Sequence, residues 1–264
     1  MKKHIAGASL FVTALLLSFC SDQKRDDLSR NPTDSVSAKI APDTVPRNSV
    51  QSNLSLDQIA SQPFRVILTG MPQYRLVSIY KRNEVQVSNR ARSSSKSYYE
   101  SEADYWISEI ETHFMPGLDL VRGFELINVA HYDMIQEQLH LLFDHPVIIK
   151  SIYFPSFVQD SLYQKPVNRD YFMISVYDED TNKNELISTT DLRRIYKFSS
   201  SGREKLMILP PNYSVVRSEY DPKNDAIFFF ARHDLSGDGR VTDTEPLHVF
   251  WTSLKSPGVA KRLY

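Results

Sequence analysis

Near its C-terminal end the chain places oxygen-bearing side chains at a fixed spacing. Asp234, Ser236, Asp238, Thr242 and Glu245 occupy places one, three, five, nine and twelve of a twelve-residue stretch, with Gly239 at place six. Calcium takes six to eight hard oxygen ligands in a flexible shell, and this spacing is that of a calcium loop. Gly239 permits the tight curl because it tolerates positive φ. Arg240 would contribute only its backbone carbonyl, Thr242 would act directly or through water, and Glu245 would close the shell with two oxygens. Without a cation the carboxylates of Asp234, Asp238 and Glu245 would repel one another at close range. The alternative reading is an ordinary Gly/Asp/Ser turn.

The same frame occurs 54 residues earlier. Asp180, Asn182, Asn184, Ser188 and Asp191 align with Asp234, Ser236, Asp238, Thr242 and Glu245, and Leu186 takes the carbonyl place of Arg240. Glu185 replaces the glycine, and Asp191 is one methylene shorter than Glu245, so this loop is the weaker candidate for calcium. A polar hairpin loop that merely keeps the shape is its other reading. The flanks agree as well: Phe172–Tyr177 and Ile227–His233 precede the loops, while Arg193–Phe198 and Leu247–Thr252 follow them. A repeat at this period marks supersecondary units packed side by side. The units run over about residues 170–209 and 224–264.

These loops must be carried by strands rather than helices. Ile227–Ala231 is aromatic and β-prone, and Pro246 directly after Glu245 pushes the chain into an extended path. Further strands are expected over 64–68, 74–80, 123–132, 139–143, 147–154 and 171–177, and an aromatic content of 11% suits that reading. One helix is expected over 98–114, where Tyr99, Ala103, Trp106, Ile110 and Phe114 recur at helical spacing after a Ser97–Glu100 capping pattern and before Pro116-Gly117. Residues 81–96 read as a long basic loop. The expected fold class is mainly β, with blade-like antiparallel β-sheet repeats and one packed α-helix, in a domain covering 59–264.

Residues 1–20 read as an export signal. Lys2, Lys3 and His4 precede a short apolar run that ends at Cys20, too short for a comfortable membrane span. Cys20 is the only cysteine, so no intrachain disulfide forms. The sequence Leu17-Ser18-Phe19-Cys20 resembles the lipobox of bacterial lipoproteins. That resemblance implies lipidation at Cys20 and a membrane partner reached through the lipid. Plain secretion, or a signal anchor with an idle cysteine, is the other reading. Residues 21–27 are similar to the Gln-Lys-acidic-acidic tag that sends some Gram-negative lipoproteins to the outer surface; a solvated charge run reads the same way. Residues 21–58, rich in Ser, Pro, Thr and Asn, hold too few large apolar residues to offset ordering entropy and read as a tether.

The phrase Ser218–Phe230, the acidic loop and a closing strand at Lys261–Tyr264 resemble blades of TolB-like β-propellers, which often carry an Asp-x-Asn-x-Asp-Gly loop between strands. The resemblance spans about residues 120–264 and implies a partial or small propeller. The chain is also similar to bacterial cell-envelope lipoproteins bearing such loops, which implies an envelope location, lipid-anchored at the outer membrane.

The sequence holds no G-x-S-x-G elbow, phosphate loop, H-E-x-x-H or dinucleotide glycine pattern. A net charge of −1 argues against a general nucleic-acid binder. Asp144 beside His145, and Asp133 near His131, are pairs that arise by chance in a chain of this size. The leading expectation is a non-catalytic, calcium-stabilised envelope lipoprotein that binds another protein or a glycan. A structural subunit of an envelope complex comes second. A polymer hydrolase with two distant carboxylates comes third.

Overall fold

The computed structural model describes residues 48–82, 115–123 and 126–264. The signal segment with Cys20, the tether as far as residue 47, the basic loop from residue 83 and the helix expected over 98–114 lie outside the described residues. Within them, the one helical element is a 3-10 turn at Leu56–Gln58.

The rest is strand and turn. In chain order the strands are β1 (Ser49–Gln51), β2 (Ser61–Leu68), β3 (Tyr74–Lys81), β4 (Leu118–Arg122), β5 (Leu126–Asp133), β6 (Gln138–Leu141), β7 (Ile148–Pro155), β8 (Asp160–Leu162) and β9 (Lys165–Val167). They continue with β10 (Tyr171–Tyr177), β11 (Leu186–Ser188), β12 (Arg194–Ser199), β13 (Lys205–Met207), β14 (Tyr213–Asp221), β15 (Ala226–His233), β16 (Leu247–Ser253) and β17 (Lys261–Arg262). Three larger sheets form, in the orders β2-β3-β5-β6, β13-β12-β10-β7-β4 and β14-β15-β16-β17, with two-stranded ribbons β1-β11 and β8-β9. Pairing is antiparallel throughout, and each sheet is open.

The five-stranded sheet is central because both of its faces are covered. On β10, Phe172, Ile174 and Val176 enter one core with Ile67, Leu76 and Val129 of the first sheet. Tyr171 and Met173, the alternate residues, enter a second core with Ile227, Phe229 and Phe250 of the last sheet. A strand buried on both faces needs large apolar residues at consecutive positions, as the run YFMISVY supplies. Pro63, which cannot donate to a ladder, lies on the edge strand β2 beside a bulge.

The folded part begins earlier than the expected tether boundary at residue 58. Val50 is 2% exposed and packs with Ile127, Ile148 and Ile187, and β1 pairs with β11 in the register Val50↔Ile187. A three-residue strand with one large apolar side chain leaves no periodic signal. Likewise residues 160–167, between the strands expected at 147–154 and 171–177, form the ribbon β8-β9, whose turn carries Tyr163 and Gln164 at positive φ instead of the usual Asn-Gly.

One ion pair joins the central and last sheets. Arg169, 6% exposed, donates from Nη1 and Nη2 to Asp225 Oδ2 and Oδ1 at 2.9 and 2.7 Å. It also donates to Leu254 O at 2.7 Å and, from Nε and Nη2, to Pro116 O at 3.1 and 3.0 Å. Removing one partner of a buried pair strands the other charge, so Arg169→Met is expected to cost about 3–5 kcal/mol. Arg169→Met combined with Asp225→Leu should recover part of that loss in denaturant titrations; additive losses would count against the pairing.

A buried imidazole supplies a second test. His131 is 1% exposed, donates from Nε2 to Ser200 O at 2.9 Å, and lies 4.8 Å from the ring of His140. Burial holds both imidazoles below their ordinary value, and for His140 the nearby Arg203 adds to the effect. A folded-state value below the unfolded one, about 6.5, means that the unfolded chain takes the proton more readily. Stability is therefore present at neutral pH and lost as pH falls below about 6.5. The melting midpoint should drop between pH 7.5 and 5.5, and His131→Phe should flatten that slope.

Candidate metal loops

Both twelve-residue loops extend the ends of equivalent strands. The first follows β10 and the second follows β15, and the second spans the hairpin in which Arg232 pairs with Leu247. Each loop folds by the same internal hydrogen bonds. The first-place carboxylate accepts from the sixth-place N–H: Gly239 N to Asp234 Oδ2 at 3.0 Å, and Glu185 N to Asp180 Oδ2 at 2.7 Å. The twelfth-place carboxylate accepts from the ninth-place N–H: Thr242 N to Glu245 Oε2, and Ser188 N to Asp191 Oδ2, both at 2.8 Å. Positive φ falls at the fourth and sixth places of both, on Gly237 and Gly239 in one and on Lys183 and Glu185 in the other.

The second loop brings three of its expected ligands together. Ser236 Oγ lies 3.2 Å from Asp234 Oδ1 and 3.5 Å from Glu245 Oε1. Asp238 turns its Oδ1 to the N–H of Arg240 at 3.0 Å, and the hydroxyl of Thr242 meets Thr244 at 2.8 Å. Arg232 braces the far end, donating to Glu245 O at 2.7 Å and to Asp243 Oδ1 at 2.9 Å. Among the described residues no three His, Cys, Asp or Glu side chains converge as a metal group. Two carboxylates and a hydroxyl around one point fit an oxygen-seeking cation in part, and Asp238 would have to leave Arg240 to complete the set.

The first loop buries its closing carboxylate. Asp191 is 2% exposed, and burial pushes its carboxyl above the ordinary range although the N–H groups of Ser188 and Asn182 and the hydroxyl of Thr181 pull the other way. Asn182 turns its side-chain amide to Thr190, Asn184 caps the N–H of Leu186, and Leu186 itself lies in β11 opposite Gln51.

The sequence reading missed that the two loops touch. Thr181 donates from Oγ1 to Gly239 O at 2.6 Å and accepts from the N–H of Leu192 at 2.9 Å. A Cβ on Gly239 would fall inside the Thr181 carbonyl and the backbone of Asn182. Gly239 is thus required twice, by its positive φ and by this close approach. Thr181 stands at a place that supplies no ligand, so the motif gave no reason to notice it.

The other pairs weighed for chemistry are structural or separate. His145 lies 2.5 Å from Asp144 and 2.8 Å from Asp178 O, at the surface. Asp133 accepts from Gln73 and from the N–H groups of Ile135 and Gln136, not from His131. A cleft of about 590 Å³ beside the Gly70–Tyr74 turn has, among the described residues, one carboxylate side chain in its lining, Asp170. No protein-family model matches the chain and no curated protein sequence matches it.

The loop contact makes a graded prediction. Gly239→Ala should lower stability by more than about 2 kcal/mol, combining strained φ with a backbone clash. Gly237→Ala, with nothing within 4 Å of its Cβ, should cost only about 1 kcal/mol. Glu185→Gly should raise stability by up to about 1 kcal/mol, since it relieves a left-handed residue. Equal effects of the two alanine variants in chemical denaturation would refute the loop contact.

Proposed function

We propose that this is a non-catalytic cell-envelope lipoprotein, anchored through Cys20, whose β-sheet body is fastened by calcium at the loop 234–245 and binds another envelope protein or a glycan. The observation that carries the calcium reading is the meeting of Asp234, Ser236 and Glu245 oxygens around one point. The ion would supply the positive charge that backbone N–H groups and the Ser236 hydroxyl provide alone in their hydrogen bonds. Asp234, Ser236, Asp238 and Glu245 would hold it through side chains, Arg240 through its carbonyl, and Thr242 directly or through water. The first loop, with its Asp191 buried, would act mainly as the surface against which the second is braced. Three open, antiparallel sheets packed face to face are in keeping with blades of a partial propeller, the finer architecture proposed here.

An ion bound only by the folded form adds RT ln(1 + [L]/Kd) to stability. Sites of the extracellular kind bind at about 10⁻⁴–10⁻³ M, so 10–100 Kd of calcium should add roughly 1.4–2.7 kcal/mol. The melting midpoint should rise with calcium and fall back with chelator, and the combined Asp234→Asn and Glu245→Gln variant should lose that response. Identical midpoints in calcium and in chelator would reject the ion's role. Acyl labelling of the cell-expressed chain, lost on Cys20→Ser, tests the anchor separately.

A further inference from the structure

We infer that the cleft beside the Gly70–Tyr74 turn is a binding site for a neutral oligosaccharide. This rests on the reading of the protein as a binding module and is independent of its calcium loops. Three segments line the cleft: the β2–β3 turn, the Pro155–Gln159 stretch after β7, and Val167–Asp170 before β10. They are held by hydrogen bonds of backbone N–H groups. Gly70 N–H donates to Pro155 O at 2.8 Å, Ser156 N–H to Gly117 O at 3.0 Å, and Gly117 N–H to Asp160 Oδ2 at 3.0 Å. A Cβ on Gly70 would strike the Ser156 carbonyl, and Gly117, at φ +78°, packs on Val167 and Arg169. The hollow is preformed, so a ligand need not order it.

Its chemistry narrows the ligand. A volume of about 590 Å³ falls in the range of small-molecule sites. The side chains of Gln159, Asn168 and Asp170 line it and, among the described residues, have no hydrogen-bond partner. Two amides and a carboxylate offer both donors and acceptors, the set that vicinal hydroxyls require. Phe157 and Val158, each 62% exposed, present an apolar wall on which the C–H face of a sugar ring can lie.

Charge disfavours a phosphate in the cleft itself. Arg169, the one cation of the lining among the described residues, is fully committed to Asp225, Leu254 and Pro116, so these residues offer no free cation for a phosphate. It shares Asp170 and Ser200 with an adjoining hollow of about 310 Å³, giving room for more than one ring. The two lysines of that hollow lie over aromatic rings, Lys197 over Tyr171 and Lys205 over Tyr196, and Glu204 stands among them.

Calorimetric titration of the full chain with maltotriose, cellotriose and chitotriose tests the assignment, with trigalacturonate as the anionic control and a Gly-Ser decapeptide as the protein-like one. At least one neutral trisaccharide should bind saturably, with Phe157→Ala and Asp170→Ala each weakening it tenfold or more at unchanged melting midpoint. No neutral sugar binding up to about 10 mM, weaker than roughly a −2.7 kcal/mol interaction, would overturn the proposal. So would binding indifferent to both variants, equal binding of trigalacturonate, or binding of the peptide alone. A calcium-dependent midpoint alongside failed titrations would remove the glycan site and leave the calcium reading standing.

Discussion

The guanidinium of Arg169 fixes how two of the three sheets meet. An arginine carries five N–H donors in a rigid fork, and here five hydrogen bonds leave it: two to Asp225, two to Pro116 O and one to Leu254 O. These partners belong to the turn before β4, the β14–β15 turn and the end of β16. Lysine, a point charge on a flexible stem, could not hold the carboxylate bidentately and reach two carbonyls as well. Asp225 is held at positive φ. Tyr220 donates to it at 3.3 Å, and burial beside that carboxylate raises the Tyr220 phenol to about 12. Tyr171 completes the joint by donating to Leu254 O at 2.7 Å.

That joint sets the positions of the two loops. β10 and β15 both start within two residues of it and run for seven and eight residues, roughly 23–27 Å of extended chain at about 3.3 Å per residue. The loops therefore arrive at nearly the same height, one on each of two facing sheets. Thr181 and Gly239 close the gap at that end as Arg169 and Asp225 do at the other. Between them lies the apolar seam of Tyr171, Met173, Ile227, Phe229 and Ala231. Polar contacts at its ends fix the relative position of two surfaces that apolar packing alone would let slide, since hydrophobic attraction has no direction.

Sequence made the strands legible where burial is two-sided or aromatic: Tyr171–Tyr177, Ile148–Phe154 and Ile227–Ala231 could hardly be anything else. It also exposed the loops, because the same spacing of polar residues recurs in both copies even where Glu185 replaces glycine. Elements stabilised only by distant partners were invisible. β1 exists because Val50 finds Ile127, Ile148 and Ile187, and nothing local announces it. Arg169 sits between Asn168 and Asp170 in a stretch that reads as polar loop, and its meaning appears only when Pro116, Asp225 and Leu254 surround it. The stacked order of three sheets was out of reach for the same reason, since alternation tells which residues face inward but not which core they enter.

The unequal burial of the two loops decides what each is able to do. Asp191 is enclosed and accepts from Thr181, Asn182 and Ser188, so its shell is already filled by the protein. Exchanging those partners for an ion would mean opening the contact between the loops, because Thr181 is bound to Asp191 and Gly239 at once. Glu245 and Asp234 are half-buried, while Ser236 and Asp238 face solvent. A cation could enter there by replacing hydrogen bonds that water can also satisfy, without disturbing Thr181. Gly239 connects the two cases: its carbonyl receives the first loop while its N–H holds the carboxylate of Asp234. On the proposed reading, an ion at the second loop would tighten Asp234 and, through the Gly239 peptide, the seam between the central and last sheets. The coupling runs through one residue that cannot carry a side chain.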